Sequence, residues 1–345
     1  MGETYLNRLR WVRPDAPGEG DSPFGVAPTD TYPPRTIDQA PAYTPQGRVM
    51  TPTERALWTV GLPTGSTPDA RSSALLEAKD LLRAAAEIEH GLLAQYLYAA
   101  YSSTAPAFRG KIAQIAREEM GHLICVQNLL LGIGGHPFFD RDDYPTTPAP
   151  GETFPFALTF EPMSLGSLAK YVTTESPPIE MINDLALRAR VVPVVEAGKT
   201  AAGQMINHVG SLYVALSWLM KKDDTPPTAA EWPDYPTEMV KALHHKLGRT
   251  NWHVPDKAFA PQIDVEDFQA DNDVEDWNKG DPAIFVEKIV YDTGGGADRA
   301  SILRTIAEIA GQGEGWQPNP TGIPSHFLRF LERFEALKAI ADAGG

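Results

Sequence analysis

No proline interrupts residues 69–105, whereas eleven fall in residues 1–70 (Pro14, Pro17, Pro23, Pro28, Pro33, Pro34, Pro41, Pro45, Pro52, Pro63 and Pro68). Each proline removes a backbone donor and disfavours helix at the residue before it, so the first stretch is expected to hold no regular helix. Trp11, Phe24, Tyr32, Tyr43 and Trp58 are scattered through it and predict an extended arm draped over the rest of the chain; composition alone also admits a disordered tail. The next stretch reads differently. Leu75, Leu82, Ala85, Leu92 and Tyr96, with Leu93 and Leu97, recur at three, four and seven residues, the period of one helix face. A helix over 73–102 would be about 45 Å long at ~1.5 Å per residue.

Residues 107–131 repeat the pattern with Ile112, Ile115, Val126, Leu129 and Leu130, and Gly132, Gly134 and Gly135 supply the stop. Shorter helices are expected over 164–175, near 237–248, and over 298–310 and 325–341. A longer tract from about 183 to 222 contains Pro193, where a kink or break is expected. Residues 137–162 and 223–297 read as loop, apart from the short helix and a short extended piece at 154–158. Few strands and no internal repeat are visible. The expected fold is all-α, with residues 1–70 a Pro-rich extended arm and residues 71–345 one helical domain.

Composition narrows the partners. Thirty basic against 45 acidic side chains give a net charge of −15, which argues against a phosphate backbone as ligand because no basic surplus exists to release counterions. Hydrophobic residues make up 42%, enough for a sizeable core. The one cysteine, Cys125, has no partner for an internal disulfide and predicts a reducing compartment. Met1 to Leu6 show neither a basic n-region nor an apolar h-region, and Leu6 stands where myristoylation needs Ser or Thr. No apolar run is long enough to span a bilayer. A cytoplasmic protein without nucleic-acid or membrane partners is the expectation. Gly294-Gly295-Gly296 lacks a following Lys-Ser/Thr and is no phosphate loop. His244-His245 and His253 are expected to be solvated, and His208 a satisfied core histidine.

The acidic residues that water would not find carry the chemistry. Glu89 has Leu82, Ala85, Leu92, Leu93 and Tyr96 at −7, −4, +3, +4 and +7, so it lies in the apolar stripe, while Glu87 is assigned to the wet face. A buried unpaired carboxylate costs several kcal/mol or protonates, so Glu89 needs a cation or a donor. Glu119 repeats the anomaly among Ile112, Ile115, Leu123 and Val126, with His122 one turn on and Glu118 assigned to the rim. An inward Glu facing a Glu-x-x-His is the ligand pattern of a di-iron or di-manganese carboxylate bundle. The competing reading is a buried Glu–His hydrogen bond that only orders the core. A second half-site draws on Glu175 at the end of the short helix, Glu314 within Gln312-Gly313-Glu314-Gly315, and His326 after the candidate cap Ser325. Glu314 and His326 lie twelve residues apart, so this half is not Glu-x-x-His.

These segments together resemble a known family. Ala86–Ser102, with Glu89 and Gln95-Tyr96-Leu97-Tyr98-Ala99-Ala100-Tyr101-Ser102, is similar to the first helix of the ferritin-like domain in iminophenylpyruvate dimer synthases, the enzymes of violacein, rebeccamycin and staurosporine biosynthesis. Glu118-Glu119-Met120-Gly121-His122 with Asn128-Leu129-Leu130 resembles the second helix, and Phe156–Pro162 with Leu168–Glu175 the next segment. Gln312-Gly313-Glu314-Gly315 and Ser325-His326-Phe327 resemble the closing signature. The resemblance runs in order over about residues 75–340 and is thin over 180–297 apart from Val209–Leu219.

It implies a ferritin-like four-helix bundle with long loop insertions, and a metal set of Glu89, Glu119, His122, Glu175, Glu314 and His326. The implied cofactor is dinuclear non-haem iron, with manganese as the alternative. Family members oxidatively couple two imines derived from an aromatic 2-oxo acid, and the bisindole-pathway enzymes are much longer and associated with haem. No Cys-x-x-Cys-His occurs here, and Cys125 reads as core. The expected function is a metal-dependent oxidoreductase using O2 or peroxide on a small substrate, with Trp232, Trp252 and Trp316 as candidate pocket residues and a homo-oligomer among the expected states. The alternatives are a ferroxidase or iron-handling protein, and a metal-free ferritin-like binding scaffold.

Overall fold

The computed structural model describes residues 9–12, 48–65, 73–139, 155–203, 206–222, 232, 235–249, 252–259, 299–313 and 323–344. In chain order the elements are β1 (Leu9–Val12), α1 (Pro52–Val60), β2 (Leu62–Gly65), α2 (Ala74–Ser102), α3 (Pro106–Gly132), α4 (Leu165–Glu175), α5 (Leu185–Ala202), α6 (Gly210–Met220), α7 (Thr237–Lys246), α8 (Arg299–Gln312) and α9 (His326–Asp342), with single 3₁₀ turns at Ile179–Met181 and Asp256–Phe259. The helices expected over 73–102, 107–131 and 164–175 therefore form within a residue of those bounds, as do the two closing ones within two.

Three residues join α2 to α3, so the two must lie antiparallel. Lys79 accordingly reaches Gly134 O at 2.5 Å while Glu89 faces His122. α2 is buried on more than one side: of the predicted stripe Leu82, Ala85, Leu92 and Tyr96 are buried and Leu75, Leu93 and Leu97 partly so, while Ala84, Ala86, Ile88 and Gly91 are buried beside them. Its neighbours are α3, α6 and β2, and the run of small side chains lets them close in. Glu87 is consequently buried, not on the wet face. Every residue of α6 is buried, and α6 packs on α2 and α8; α4 packs on α5 and α9.

Two expectations fail for local reasons. Residues 52–60 are helical despite the proline density, because Pro52 occupies the first helical position, where its missing N–H is no loss. Thr51 and Glu54 close a capping box at that end, Glu54 N to Thr51 Oγ1 at 3.2 Å and Thr51 N to Glu54 Oε2 at 2.9 Å. Leu57 and Leu62 then enter the core, and β2 pairs antiparallel with β1, Val12 opposite Leu62. The break expected at Pro193 instead falls at Gly203, which adopts the left-handed conformation (φ 68°) that ends α5. Pro193 sits inside α5 on its exposed side, so the Ala189 carbonyl it cannot serve faces solvent.

His244 also departs from expectation. It lies on the buried face of α7 with Val240 and Leu243, its ring 5.7 Å from Trp218, and burial pulls it well below the usual histidine range. His253 bonds Trp218 O at 2.9 Å. His208 is held by Ser176 O at 2.8 Å and pushed down to about 4 by burial, as suits a core histidine. Cys125 is buried. Among the described residues no helix is long and apolar enough to cross a membrane.

The position of α4 depends on one close approach. A Cβ on Gly198 of α5 would overlap Thr173 Oγ1 and stand 2.5 Å from Ala169 O, both on α4. Gly198→Ala is expected to force the helices apart and cost about 1–3 kcal/mol, the range for overpacking a core. Chemical denaturation of the variant checks this; unchanged stability would mean that α4 and α5 do not meet at this contact.

Candidate metal centre

Glu89 sits in the middle of α2 because the stripe around it is apolar, and α3 brings Glu119 and His122 opposite it. His122 Nδ1 lies 3.0 Å from Glu119 Oε2 and 3.5 Å from Glu89 Oε2. A second group mirrors the first. His326, the first residue of α9, has Nδ1 2.7 Å from Glu119 Oε1 and 3.7 Å from Glu175 Oε2, Glu175 being the last residue of α4. Glu119 therefore stands between two histidines, one oxygen toward each, and each histidine has a further carboxylate beside it. The imidazoles stack at 5.3 Å between centroids. All five side chains are buried to within 1% of full exclusion from solvent, which is why their partners must come from within.

The structure thus brings together five of the six residues named from the sequence. The sixth, Glu314, lies outside the described residues; Gly313 before it is close enough that a Cβ there would be 3.5 Å from Glu175 Oε2 and 3.6 Å from His122 Cε1. Ser325 occupies the N-cap of α9 but makes no side-chain cap bond. Trp252 does not line this centre. Its indole bonds Glu77 Oε2 at 3.0 Å, twelve residues from Glu89 along α2, or about 18 Å at ~1.5 Å per residue. Trp232 is buried against Tyr235, and Trp316 lies outside the described residues.

Periodicity missed the layer that aims these ligands. Tyr213 of α6 donates to Glu89 Oε1, and Tyr96 of α2 donates to Glu175 Oε1. His122 Nε2 meets Gln312 Oε1 at 3.0 Å, and His326 Nε2 meets Glu118 Oε2 at 2.8 Å. Glu118 is no rim residue: it is buried and also held by Arg329, whose Nη1 lies 2.8 Å from its Oε1. Tyr96 is fixed in turn by ring contacts with Tyr171 at 4.7 Å and Phe330 at 4.8 Å. One signal did exist for Tyr213, since a phenol in a largely apolar helix needs an acceptor. Nothing local distinguishes Glu118 from a solvated glutamate, because its partners lie more than two hundred residues away.

Burial and charge pull these groups apart. Burial raises Glu89 to about 7 against the His122 hydrogen bond, and burial with the nearby Glu119 charge raises Glu175. Burial works against Glu119 too, but the two histidines outweigh it and hold it low; the carboxylates in turn lift both imidazoles well above their usual range against burial. Glu119 Oε1 and His326 Nδ1 pair at 2.7 Å without the alignment of a hydrogen bond. One ligand atom from each of Glu119, His122 and His326 falls within 4.8 Å of the others, so this group could hold a metal ion, and a carboxylate–imidazole set suits iron or manganese over softer metals.

Residues 82–335 match the family model described as Ferritin-like. The chain belongs to the ferritin-like family. No curated protein and no solved structure matches it. The family match covers all five residues of the buried cluster in this ferritin-like chain.

Glu118 makes the stability of the metal-free ferritin-like protein depend on acid. Burial alone would raise its carboxyl, but the bonds from His326 and Arg329 outweigh that and bring it from 4.5 to about 2. A depressed carboxyl contributes stability that is fully present above pH 4.5 and is lost as pH falls toward 2. Glu118→Gln should be less stable at pH 6 by about 3 kcal/mol, as when one partner of a buried ion pair is removed, and should lose less than the native chain between pH 4.5 and 3. Denaturation curves across that window check both; parallel curves would show that Glu118 is not ionised in the core.

Proposed function

We propose that the five-residue cluster is a dinuclear non-haem metal centre and that the protein is an oxidoreductase using O2 or peroxide on a small organic substrate. The observation that carries the reading is Glu119 lying between His122 and His326 with an oxygen toward each. Glu89, Glu119 and His122 would hold one ion and Glu119, Glu175 and His326 the other, with Glu314 the proposed additional ligand. Iron is the favoured metal and manganese the alternative. When bound, such a pair supplies redox equivalents for activating oxygen. The chain supplies the rest. Tyr213 and Tyr96 tie down one oxygen of Glu89 and of Glu175, leaving the other directed at the cluster. Gln312 and Glu118 take the outer imidazole nitrogens, which leaves Nδ1 of each ring inward as the ligand atom. Closely packed α2, α3 and α6 keep water from the centre.

The resemblance to iminophenylpyruvate dimer synthases carries over the metal set and not the coupling reaction itself; it directs the search to substrates derived from aromatic amino acids, in oxidative imine coupling or a related tailoring step of secondary metabolism. A metal-free scaffold, by contrast, has no need of three carboxylates converging on two buried imidazoles.

The metal content of protein reconstituted anaerobically with Fe(II) tests this. Near two irons per chain, lost in a Glu119→Ala, His122→Ala double variant that still folds by circular dichroism, is the expected result, followed by O2 uptake with aromatic amino acids and their imines. Failure to bind any metal would overturn the oxidoreductase reading. Iron oxidation without consumption of any organic substrate would point to iron handling instead.

A further inference from the structure

We infer that the two halves of the centre are unequal: the half built on His326 binds its ion first and more tightly, and Glu118 and Gln312 set the difference. The inference rests on the dinuclear reading above and adds to it an order of filling and its cause.

Inside, the halves match. Each has one histidine Nδ1, one oxygen of Glu119 and one further carboxylate whose other oxygen is held by a tyrosine. Helix dipoles do not separate them either. Glu175 ends α4 and His326 begins α9, so a negative and a positive helix end meet at the same half and offset one another.

The outer partners do separate them. His122 Nε2 faces a neutral amide oxygen, Gln312 Oε1, at 3.0 Å, whereas His326 Nε2 faces a carboxylate oxygen, Glu118 Oε2, at 2.8 Å. Donating an N–H to a carboxylate makes the imidazole more basic at its other nitrogen, and outer partners of this kind are worth 10–100-fold in metal affinity. Arg329 takes up part of the Glu118 charge, but it also pins the carboxylate against the ring.

Anaerobic titration with Co(II), followed by its visible absorption and by calorimetry, reads the two sites directly. The native chain should bind two ions in two steps about 10–100-fold apart, and crystals grown with one equivalent of Mn(II) should show it beside His326 by anomalous scattering. Gln312→Glu should tighten the weaker step by a similar factor and bring the two together, a gain that structural damage would not produce. Glu118→Gln should weaken the stronger step; should that variant not fold, Gln312→Glu decides alone. Two equal sites, a first ion beside His122, or no tightening in Gln312→Glu would each overturn the inference while leaving a dinuclear centre standing. No binding of Co(II) or Mn(II) at either half would overturn the dinuclear reading itself.

Discussion

The whole arrangement turns on Glu119, a carboxylate shared by two imidazoles in a volume that water does not reach. Taking an ion out of water costs several kcal/mol even after the protein relaxes, and a whole domain is stable by only ~5–15 kcal/mol. Three carboxylates and two histidines buried together are therefore not incidental to the fold. Each must be compensated, and the helices are disposed so that they are. α2 and α3 lie antiparallel with Glu89 across from His122, α4 ends at Glu175, and α9 starts at His326. Shifting any of these helices by one turn would leave a charge in the core with no counterpart.

Compensation is layered. The inner contacts are between the carboxylates and the histidines themselves. The outer ones come from Tyr96, Tyr213, Gln312, and Glu118 with Arg329, and they arrive from α2, α6, α8, α3 and α9. Packing supports the polar layer directly. Tyr96 can hold Glu175 because Tyr171 and Phe330 fix its ring, and Gln95 ties Tyr171 to the backbone of Phe160, its Nε2 3.1 Å from the phenol and its Oε1 3.0 Å from Phe160 N. Tyr213 can hold Glu89 because α6 is buried along its length. The apolar core and the ionisable cluster are one construction, so a change in helix packing is felt at the ligands.

How much of this the sequence disclosed depends on the range of the interaction. Glu89, Glu119 and His122 were legible because an acidic or imidazole side chain in an apolar helical stripe contradicts its surroundings, and the contradiction is visible within one turn. Glu175 and His326 were not separable by spacing from other helix-end residues, and the resemblance to a known family was what singled them out. Glu118 was misread as a rim residue because its neighbours in the chain, Lys111 and Gln114, are polar, while the groups that bury it belong to α9. The same limit explains His244 and Pro193. The first is buried by Trp218 of another helix, and the second is tolerated because the carbonyl it frees faces solvent. Periodicity reports the face a helix turns to its neighbours; it does not report which neighbours come.

Stability alone does not account for such a core. Replacing a buried set of ion pairs by apolar side chains of similar volume is often neutral or stabilising, so a chain selected only to fold has a simpler solution than three glutamates and two histidines. Nor do the five side chains form a single closed pair: Glu119 presents one oxygen to each imidazole, and each imidazole has a second carboxylate beside it. Carboxylates converging on two facing imidazoles inside a helical bundle are disposed as metal ligands are.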